Sequence, residues 1–145
     1  MNTELHFSSK TPEWSTPTAF YDKLVAEFGP FTLDPCATKD NAKAQLYFTK
    51  EIDGLRQPWA PHRVFLNPPY GRGIIGRWMG KAVCESNIGA FIVCLVPART
   101  DTAWWHDFAM KGKIRFIKGR LKFGGGEIWC SVPICAGYTW QKQSQ

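Results

Sequence analysis

The feature that most constrains the fold is an uninterrupted apolar run at 90–96, which Pro97 ends. Strands covered on both faces form continuous apolar segments, whereas strands with one solvated face alternate apolar and polar residues. The run is also too short to cross a bilayer, which takes about 20 apolar residues. It therefore predicts a central strand of a mostly parallel sheet with helices on both faces.

Helix and strand signals alternate around this run. Helices are predicted at 19–28, 74–85 and 102–110, and further strands at 31–33, 45–49, 63–66, 113–117 and 132–140. Thr16 is the expected cap of the first helix, with Pro17 as its first residue and Gly29 as its stop. The last two strands flank glycines 124–126 and are expected to form an antiparallel edge hairpin. This order predicts an open α/β sheet.

Composition narrows the class of protein. The 145 residues fit one compact domain, with residues 1–12 loosely docked, and the formal charge of +6 favours an anionic partner such as nucleic acid. A merely basic, soluble surface is the alternative. The five cysteines form no C-x-x-C pair and no apolar leader opens the chain, so we expect free thiols in a reducing cytoplasm. We expect no membrane span and no metal, because the histidines at 6, 62 and 106 lack ligand spacing.

The sharpest candidate site is Asn67-Pro68-Pro69-Tyr70, directly after a predicted strand. The prolines have no N–H and hold the residues before them extended, so the loop offers an amide and neighbouring carbonyls as rigid acceptors. Two acceptors on an aromatic amine favour its tetrahedral form and direct its lone pair at an electrophile. Tyr70 could stack on a base, which is worth about 1–3 kcal/mol. A rigid diproline turn is the alternative.

A second candidate is Asp34, which also follows a predicted strand. Ligands of open α/β sheets bind beyond the carboxyl ends of the strands, so we expect Asp34 and Asn67 to face one cleft. A turn residue before Pro35 is the alternative for Asp34. For Asp53 the alternative is an ordinary Asp-Gly turn.

The chain resembles the phage-type DNA adenine methyltransferases, within the wider superfamily of amino-methyltransferases. The matching segments follow the family's order: Trp14-Ser15-Thr16-Pro17, Phe31-Thr32-Leu33-Asp34-Pro35-Cys36-Ala37, Asp53-Gly54-Leu55 with Trp59, Asn67-Pro68-Pro69-Tyr70-Gly71, Leu95-Val96-Pro97-Ala98-Arg99-Thr100 and Gly119-Arg120-Leu121-Lys122-Phe123. Each segment is weak by itself, but the ordered set is specific.

This resemblance implies one Rossmann-like methyltransferase domain over residues 1–145, with an antiparallel C-terminal hairpin strand and no separate target-recognition domain. It implies methyl transfer from S-adenosylmethionine to the exocyclic amine of adenine in double-stranded DNA, in the cytoplasm of a bacterial host if the gene is a phage's. The implied donor-binding residues are Trp14, Thr16, Pro17, Asp34, Pro35, Cys36, Ala37 and Asp53, and the implied catalytic residues are Asn67, Pro68, Pro69 and Tyr70. One departure is that 34–67 is too short for the family's usual two helix–strand units. The acidic residue that grips the donor's ribose is then missing or replaced, and neither Asp40 nor Glu51 is assigned to it.

A basic stretch without acidic residues between Asp107 and Glu127 is the candidate DNA contact. Its basic residues are Lys111, Lys113, Arg115, Lys118, Arg120 and Lys122. We expect Arg115, Lys118, Arg120 and Lys122 to contact phosphates, with Tyr70 and Phe123 against the two faces of an extruded base. Lysines that protect an edge strand from aggregation are the alternative.

Three further patterns are set aside. The glycines of 71–76 match a dinucleotide-binding pattern, but the prolines before them spoil its tight turn, so a hinge is expected. Trp104 and Trp105 are expected to pack a helix onto the sheet. Cys36 could be a nucleophile, but the acceptor loop favours attack by an amine instead.

Other functions are also compatible with the same sequence features. Loops of this type also serve in methylation of glutamine side chains and of RNA bases. A non-catalytic nucleic-acid-binding module on a methyltransferase fold is the other alternative, although the intact loop argues against it.

Overall fold

A computed structural model describes residues 16–118, 121–122, 129–130 and 133–136. The α-helices are α1 (Thr18–Phe28), α2 (Ile75–Asn87) and α3 (Ala103–Asp107), with 3-10 turns at Gly54–Arg56 and Ala109–Lys111. The strands are β1 (Leu33–Asp34), β2 (Leu46–Tyr47), β3 (Arg63–Leu66), β4 (Phe91–Leu95), β5 (Lys113–Phe116), β6 (Leu121–Lys122), β7 (Trp129–Cys130) and β8 (Pro133–Ala136).

The described strands form a six-stranded sheet in the order β2-β1-β3-β4-β8-β5. The pairs β2–β1, β1–β3 and β3–β4 are parallel, while β8 runs antiparallel to β4 and β5. A separate antiparallel pair joins β6 and β7. The predicted α/β class with a mostly parallel sheet is confirmed.

Side chains of the central strands alternate between two apolar layers. Val64, Leu66 and Ile92 pack in the layer that α2 and α3 cover. Phe65 and Val93 pack on the other face, against α1. The apolar run at 90–96 thus lies between two helical layers, as its composition predicts.

The C-terminal strands differ from the expected edge hairpin. β5 and β8 do pair antiparallel, with Lys113 opposite Ala136. However, β8 lies between β4 and β5 in the sheet, so β8 is an interior strand and β5 is at the edge. Along the chain, β6 and β7 separate β5 from β8, so β5 and β8 do not form a simple hairpin. Local pattern does not reveal this, because the β4–β8 pairing is non-local. Glycines 124–126 lie outside the described residues.

The start of α1 also differs from expectation. Pro17 is the cap residue and no side chain caps the helix, so the prediction that Thr16 caps it is wrong. The Thr16 hydroxyl instead accepts a hydrogen bond from Asn67. The stop at Gly29 is confirmed: its φ of 82° suits glycine, and its N–H donates to the Val25 carbonyl at 2.8 Å.

The contact between α2 and α3 depends on two glycines of α2. A Cβ added at Gly76 would lie 3.2 Å from the Trp104 Cβ, and one at Gly80 would lie 3.2 Å from the Phe108 ring. These glycines therefore let α3 approach α2 closely. Trp105 is buried and stacks on Phe116, which confirms that this tryptophan pair packs its helix onto the sheet.

Every residue of 34–67 is described, and between β1 and β3 this stretch contains β2 and a 3-10 turn but no α-helix. The expectation that it is too short for two helix–strand units is confirmed. Its second half is instead braced by Glu85 of α2. One carboxylate oxygen of Glu85 accepts the backbone N–H groups of Trp59 and Ala60, both at 3.0 Å, and the other accepts from Lys81 at 2.7 Å.

The Glu85 carboxylate is ionised in this setting. Burial raises the pKa of Glu85, but the hydrogen bonds from Lys81, Ala60 and Trp59 outweigh it and hold the pKa below its ordinary value. Trp59 in turn holds the 3-10 turn at Gly54–Arg56, because its indole Nε1 donates to the Gly54 carbonyl at 2.8 Å.

We predict that Glu85→Ala lowers the free energy of unfolding by about 3 kcal/mol, because it leaves two backbone N–H groups and an ammonium without their acceptor. Lys81→Met should cost less, since the N–H groups keep theirs. Urea unfolding followed by tryptophan fluorescence measures both, with the exposed Glu51→Ala as control. A loss in Glu85→Ala no greater than in that control would contradict the brace.

Candidate active site

The Asn67 side chain is fixed at both ends of its amide, just beyond β3. Its Nδ2 donates to the Thr16 hydroxyl at 3.2 Å. Its Oδ1 accepts from the Tyr70 hydroxyl at 2.8 Å, and that hydroxyl also lies 3.3 Å from the Leu95 carbonyl. The amide therefore joins the segment before α1 to the ends of β3 and β4. It brings together Thr16 and Asn67, two predicted site residues that are far apart in the chain.

The rest of the Asn67–Tyr70 loop is held from the end of β4. Pro68 is buried, whereas Pro69 and Tyr70 are half-buried. The Tyr70 carbonyl accepts a hydrogen bond from Arg99 Nη1 at 2.7 Å. Arg99 belongs to a segment that matches the family, but its sequence context assigns it no role. Only its position after a buried strand that ends at a cleft could have indicated one.

The Asp34 carboxylate lies at the carboxyl end of β1 and organises the loop that follows. It is buried, with a 3% exposed fraction, and accepts the backbone N–H groups of Lys43 at 3.0 Å and Cys36 at 3.4 Å. Burial raises the pKa of Asp34 to about 7, although those hydrogen bonds oppose the rise. A cationic group of a ligand next to this carboxyl would favour its ionised form.

The thiol of Cys36 is poorly suited to nucleophilic attack. Burial, and secondarily the neighbouring Asp34, raise the pKa of Cys36 to about 12. Since the thiolate is the reactive form, this environment disfavours the covalent alternative. It agrees with a site in which an amine is the attacking group.

Asp53 lies in a turn that packs directly on the loop after β1. A Cβ on Gly54 would lie 2.0 Å from the Pro35 carbonyl oxygen, so only glycine allows this approach. Asp53 itself has a left-handed backbone with φ of 59°, and its side chain accepts the Leu55 N–H at 3.2 Å. The structure thus places the predicted Asp34–Ala37 and Asp53 segments side by side. The exposed Asp40 and Glu51 flank them, and β2 ends at Tyr47 without a carboxylate.

The predicted DNA contacts are only partly described. Both Arg115 Nη atoms donate to the Glu27 carboxylate of α1, which leaves Arg115 paired within the protein. Lys111, Lys113 and Lys118 are exposed. Trp14, Arg120 and Phe123 lie outside the described residues, and Lys122 is described only as a backbone position of β6.

Within the described ranges, no group of three or more His, Cys, Asp and Glu side chains could hold a metal ion. His62 Nδ1 lies 3.0 Å from the Thr32 hydroxyl, and His106 Nε2 lies 2.7 Å from the Thr100 carbonyl. None of the helices in the described part is long and apolar enough to cross a membrane.

Comparison with known proteins assigns the family. The family model of DNA N-6-adenine-methyltransferases (Dam) matches residues 5–143, and the chain belongs to this family. It is 32% identical to the DNA N-6-adenine-methyltransferase of Escherichia phage T1 over 130 residues, which cover 73% of this chain and 54% of that protein. A shorter match, 36% identical over 64 residues, covers 40% of this chain and 70% of YfdM of Escherichia coli (strain K12), which is named as a methyltransferase.

The chain therefore spans about half the length of its phage relative. No solved structure matches it significantly. The family that the ordered motifs resemble is confirmed.

We predict that Asp34 makes the protein less stable as the pH rises. In the folded chain its carboxyl holds a proton up to about pH 7, whereas an unfolded carboxyl releases it near the ordinary pKa of 3.8. Between these values the folded state binds more protons, so the free energy of unfolding falls with pH. Asp34→Asn removes the ionisation, and urea unfolding across this range should show the wild type losing stability relative to the variant.

The exposed Asp22→Asn serves as the matched control, and its difference from wild type should not vary in this way. A wild-type stability that follows Asp34→Asn in parallel from pH 4 to pH 7 would contradict a raised pKa at this site.

Proposed function

We propose that this protein transfers a methyl group from S-adenosylmethionine to the exocyclic amine of adenine in DNA. The observation that carries the proposal is the Asn67 amide, fixed between Thr16 and Tyr70 where β3 ends, in a chain that belongs to the DNA N-6-adenine-methyltransferase family. The phage T1 relative, which carries that activity in its name, supports the choice of DNA and adenine.

Asp34 fits the methyl donor. Its carboxylate is buried, and the nearby charge of Lys43 does not outweigh the effect of burial on its pKa. The methionine part of the donor carries an ammonium group that would favour the ionised carboxylate. Pro35, Cys36 and Ala37 line the same loop, which packs against the turn containing Asp53. The donor-flanking role of Trp14, Thr16 and Pro17 rests on the resemblance, and only Thr16 has a described contact with the catalytic loop. When bound, the donor supplies an electrophilic methyl group on sulfur.

The catalytic loop supplies acceptors and a stacking surface. Asn67 Oδ1 and a prolyl carbonyl accept the two hydrogens of the adenine amine, which favours its tetrahedral form and exposes the lone pair. In the free protein the Tyr70 hydroxyl donates to Asn67 Oδ1 and orients it, and the second lone pair of that oxygen accepts from the incoming amine. The Tyr70 ring then stacks on the extruded base.

The sheet supports a Rossmann-like methyltransferase domain. It has a parallel core with an antiparallel strand next to the edge strand, and Asp34 and Asn67 lie at the carboxyl ends of β1 and β3, where open α/β sheets bind their ligands. We propose that residues 1–145 fold as one domain. Double-stranded DNA then reaches the exposed lysines of the basic stretch, in the cytoplasm of a bacterial host.

The test uses labelled S-adenosylmethionine with DNA, RNA and protein pools, for wild type and Asn67→Ala. Label should enter DNA only, and Asn67→Ala should lose about 3 kcal/mol of transition-state stabilisation while it keeps its donor affinity. Calorimetry with the donor checks the affinity, and the exposed Asn87→Ala is the control.

Other outcomes point elsewhere. Label in RNA or in protein glutamine would assign the loop to another substrate. Donor binding without any transfer would support a non-catalytic nucleic-acid-binding module. Near-wild-type turnover of Asn67→Ala would remove Asn67 from catalysis.

We predict a steep decline of DNA affinity with salt, because lysine–phosphate contacts release counterions. Replacing Lys113 and Lys118 together by Ala should weaken binding to all sequences alike and reduce the slope by about 2. Arg115→Ala should change the slope less, because Glu27 already neutralises it. Fluorescence anisotropy across a salt series measures these slopes.

The double variant of the exposed Lys23 and Lys39 is the matched control. DNA lies on another surface if that control flattens the slope as much as the Lys113 and Lys118 pair does.

A further inference from the structure

The far end of the catalytic loop is fixed from outside the loop. Pro68 and Pro69 contribute no N–H, so the loop has few backbone hydrogen bonds of its own with which to set the direction of its carbonyls. Its last carbonyl, that of Tyr70, accepts from Arg99 Nη1 at 2.7 Å across a sequence separation of 29 residues. The orientation of Tyr70 therefore depends on the side chain of Arg99.

Arg99 is carried by a well-braced connection between β4 and α3. Its own N–H donates to the Pro97 carbonyl at 2.9 Å. Its carbonyl accepts twice from Thr102, from the backbone N–H at 3.1 Å and from the hydroxyl at 2.6 Å. The backbone around Arg99 is thus fixed on both sides, which gives its guanidinium a defined starting point.

The Arg99 guanidinium, like that of Arg63, donates to a backbone carbonyl. Arg115 and Arg56 pair with Glu27 and Asp53. Across the described ranges, no carboxylate lies within ion-pair distance of Arg99, and its recorded side-chain bond goes to the Tyr70 carbonyl. A bond from a charged donor is stronger than one between neutral groups, and Arg99 is half-buried.

Tyr70 is therefore held at two atoms by residues at and just after the end of β4. The Leu95 carbonyl lies 3.3 Å from its hydroxyl, and Arg99 holds its carbonyl. We infer that Arg99 is a positioning residue for methyl transfer: it sets Tyr70, and through Tyr70 the acceptor Asn67 Oδ1, in the geometry that receives the target amine. This inference rests on the proposed function.

The consequence is a selective effect on turnover. A shift of about 1 Å in a positioned group can lower a rate about 100-fold. The donor loop at 34–37 follows β1 and has its own contacts to Phe48 and Lys43, so donor affinity should not depend on Arg99.

The test compares Arg99→Met, Arg99→Lys and the surface control Arg77→Met. Arg99→Met should lower the single-turnover rate about 10- to 100-fold, while the donor Kd and the salt slope of DNA binding match Arg77→Met. Arg99→Lys should recover part of the rate, because it keeps a charged donor on a shorter side chain. Unchanged turnover would overturn the inference, as would a flattened salt slope, which would make Arg99 a phosphate contact instead.

Hydrogen exchange gives a readout that needs no activity. Amides of 66–74 should exchange faster in Arg99→Met than in wild type or Arg77→Met, with the rest of the sheet unchanged. Faster exchange would support the role of Arg99 in holding the loop even if the wild type methylates no DNA. Absence of DNA methylation by the wild type would count against the proposed function and not against this contact. Unchanged exchange at 66–74 would show that Arg99 does not hold the loop.

Discussion

The parallel pairing of β3 with β4 is the constraint on which the rest of the structure depends. Residues 64–66 and 92–95 are buried on both faces of the sheet, and Leu66 lies opposite Cys94. This register brings the two strand ends level, so the residues that leave them meet. The Tyr70 hydroxyl reaches the Leu95 carbonyl, and Arg99 reaches the Tyr70 carbonyl. A proline-rich loop with few hydrogen bonds of its own thereby acquires a fixed shape from its neighbours.

The loop after β1 is supported by a short stretch of chain. Between Asp34 and Asn67 there is no α-helix to cover the loop after β1, and other contacts take its place. The backbone of Gly54 presses on the Pro35 carbonyl, Trp59 holds Gly54, and Glu85 holds Trp59 from α2. A buried carboxylate thus supports the loop after β1 through three successive contacts.

Much of the fold could be predicted from sequence, because the signals are local. The apolar run at 90–96 identifies a strand buried on both faces, and Gly29 marks the end of α1 through its backbone. The predictions that were wrong concern residues whose partners are distant in the chain. The Thr16 hydroxyl looks like a helix cap until Asn67, 51 residues away, engages it, and β8 looks like an edge strand until β4 pairs with it. Arg99 has no local pattern at all, since its role depends on where the Tyr70 carbonyl lies.

We propose that the Asn67 loop presents acceptors to the exocyclic amine of adenine. The most direct measurement is mass spectrometry of nucleosides from DNA treated with the protein and a donor carrying a deuterated methyl group. We expect the label in N6-methyladenine. Label at carbon 5 of cytosine would contradict attack by an amine, and label on the cytosine amine would contradict the choice of base.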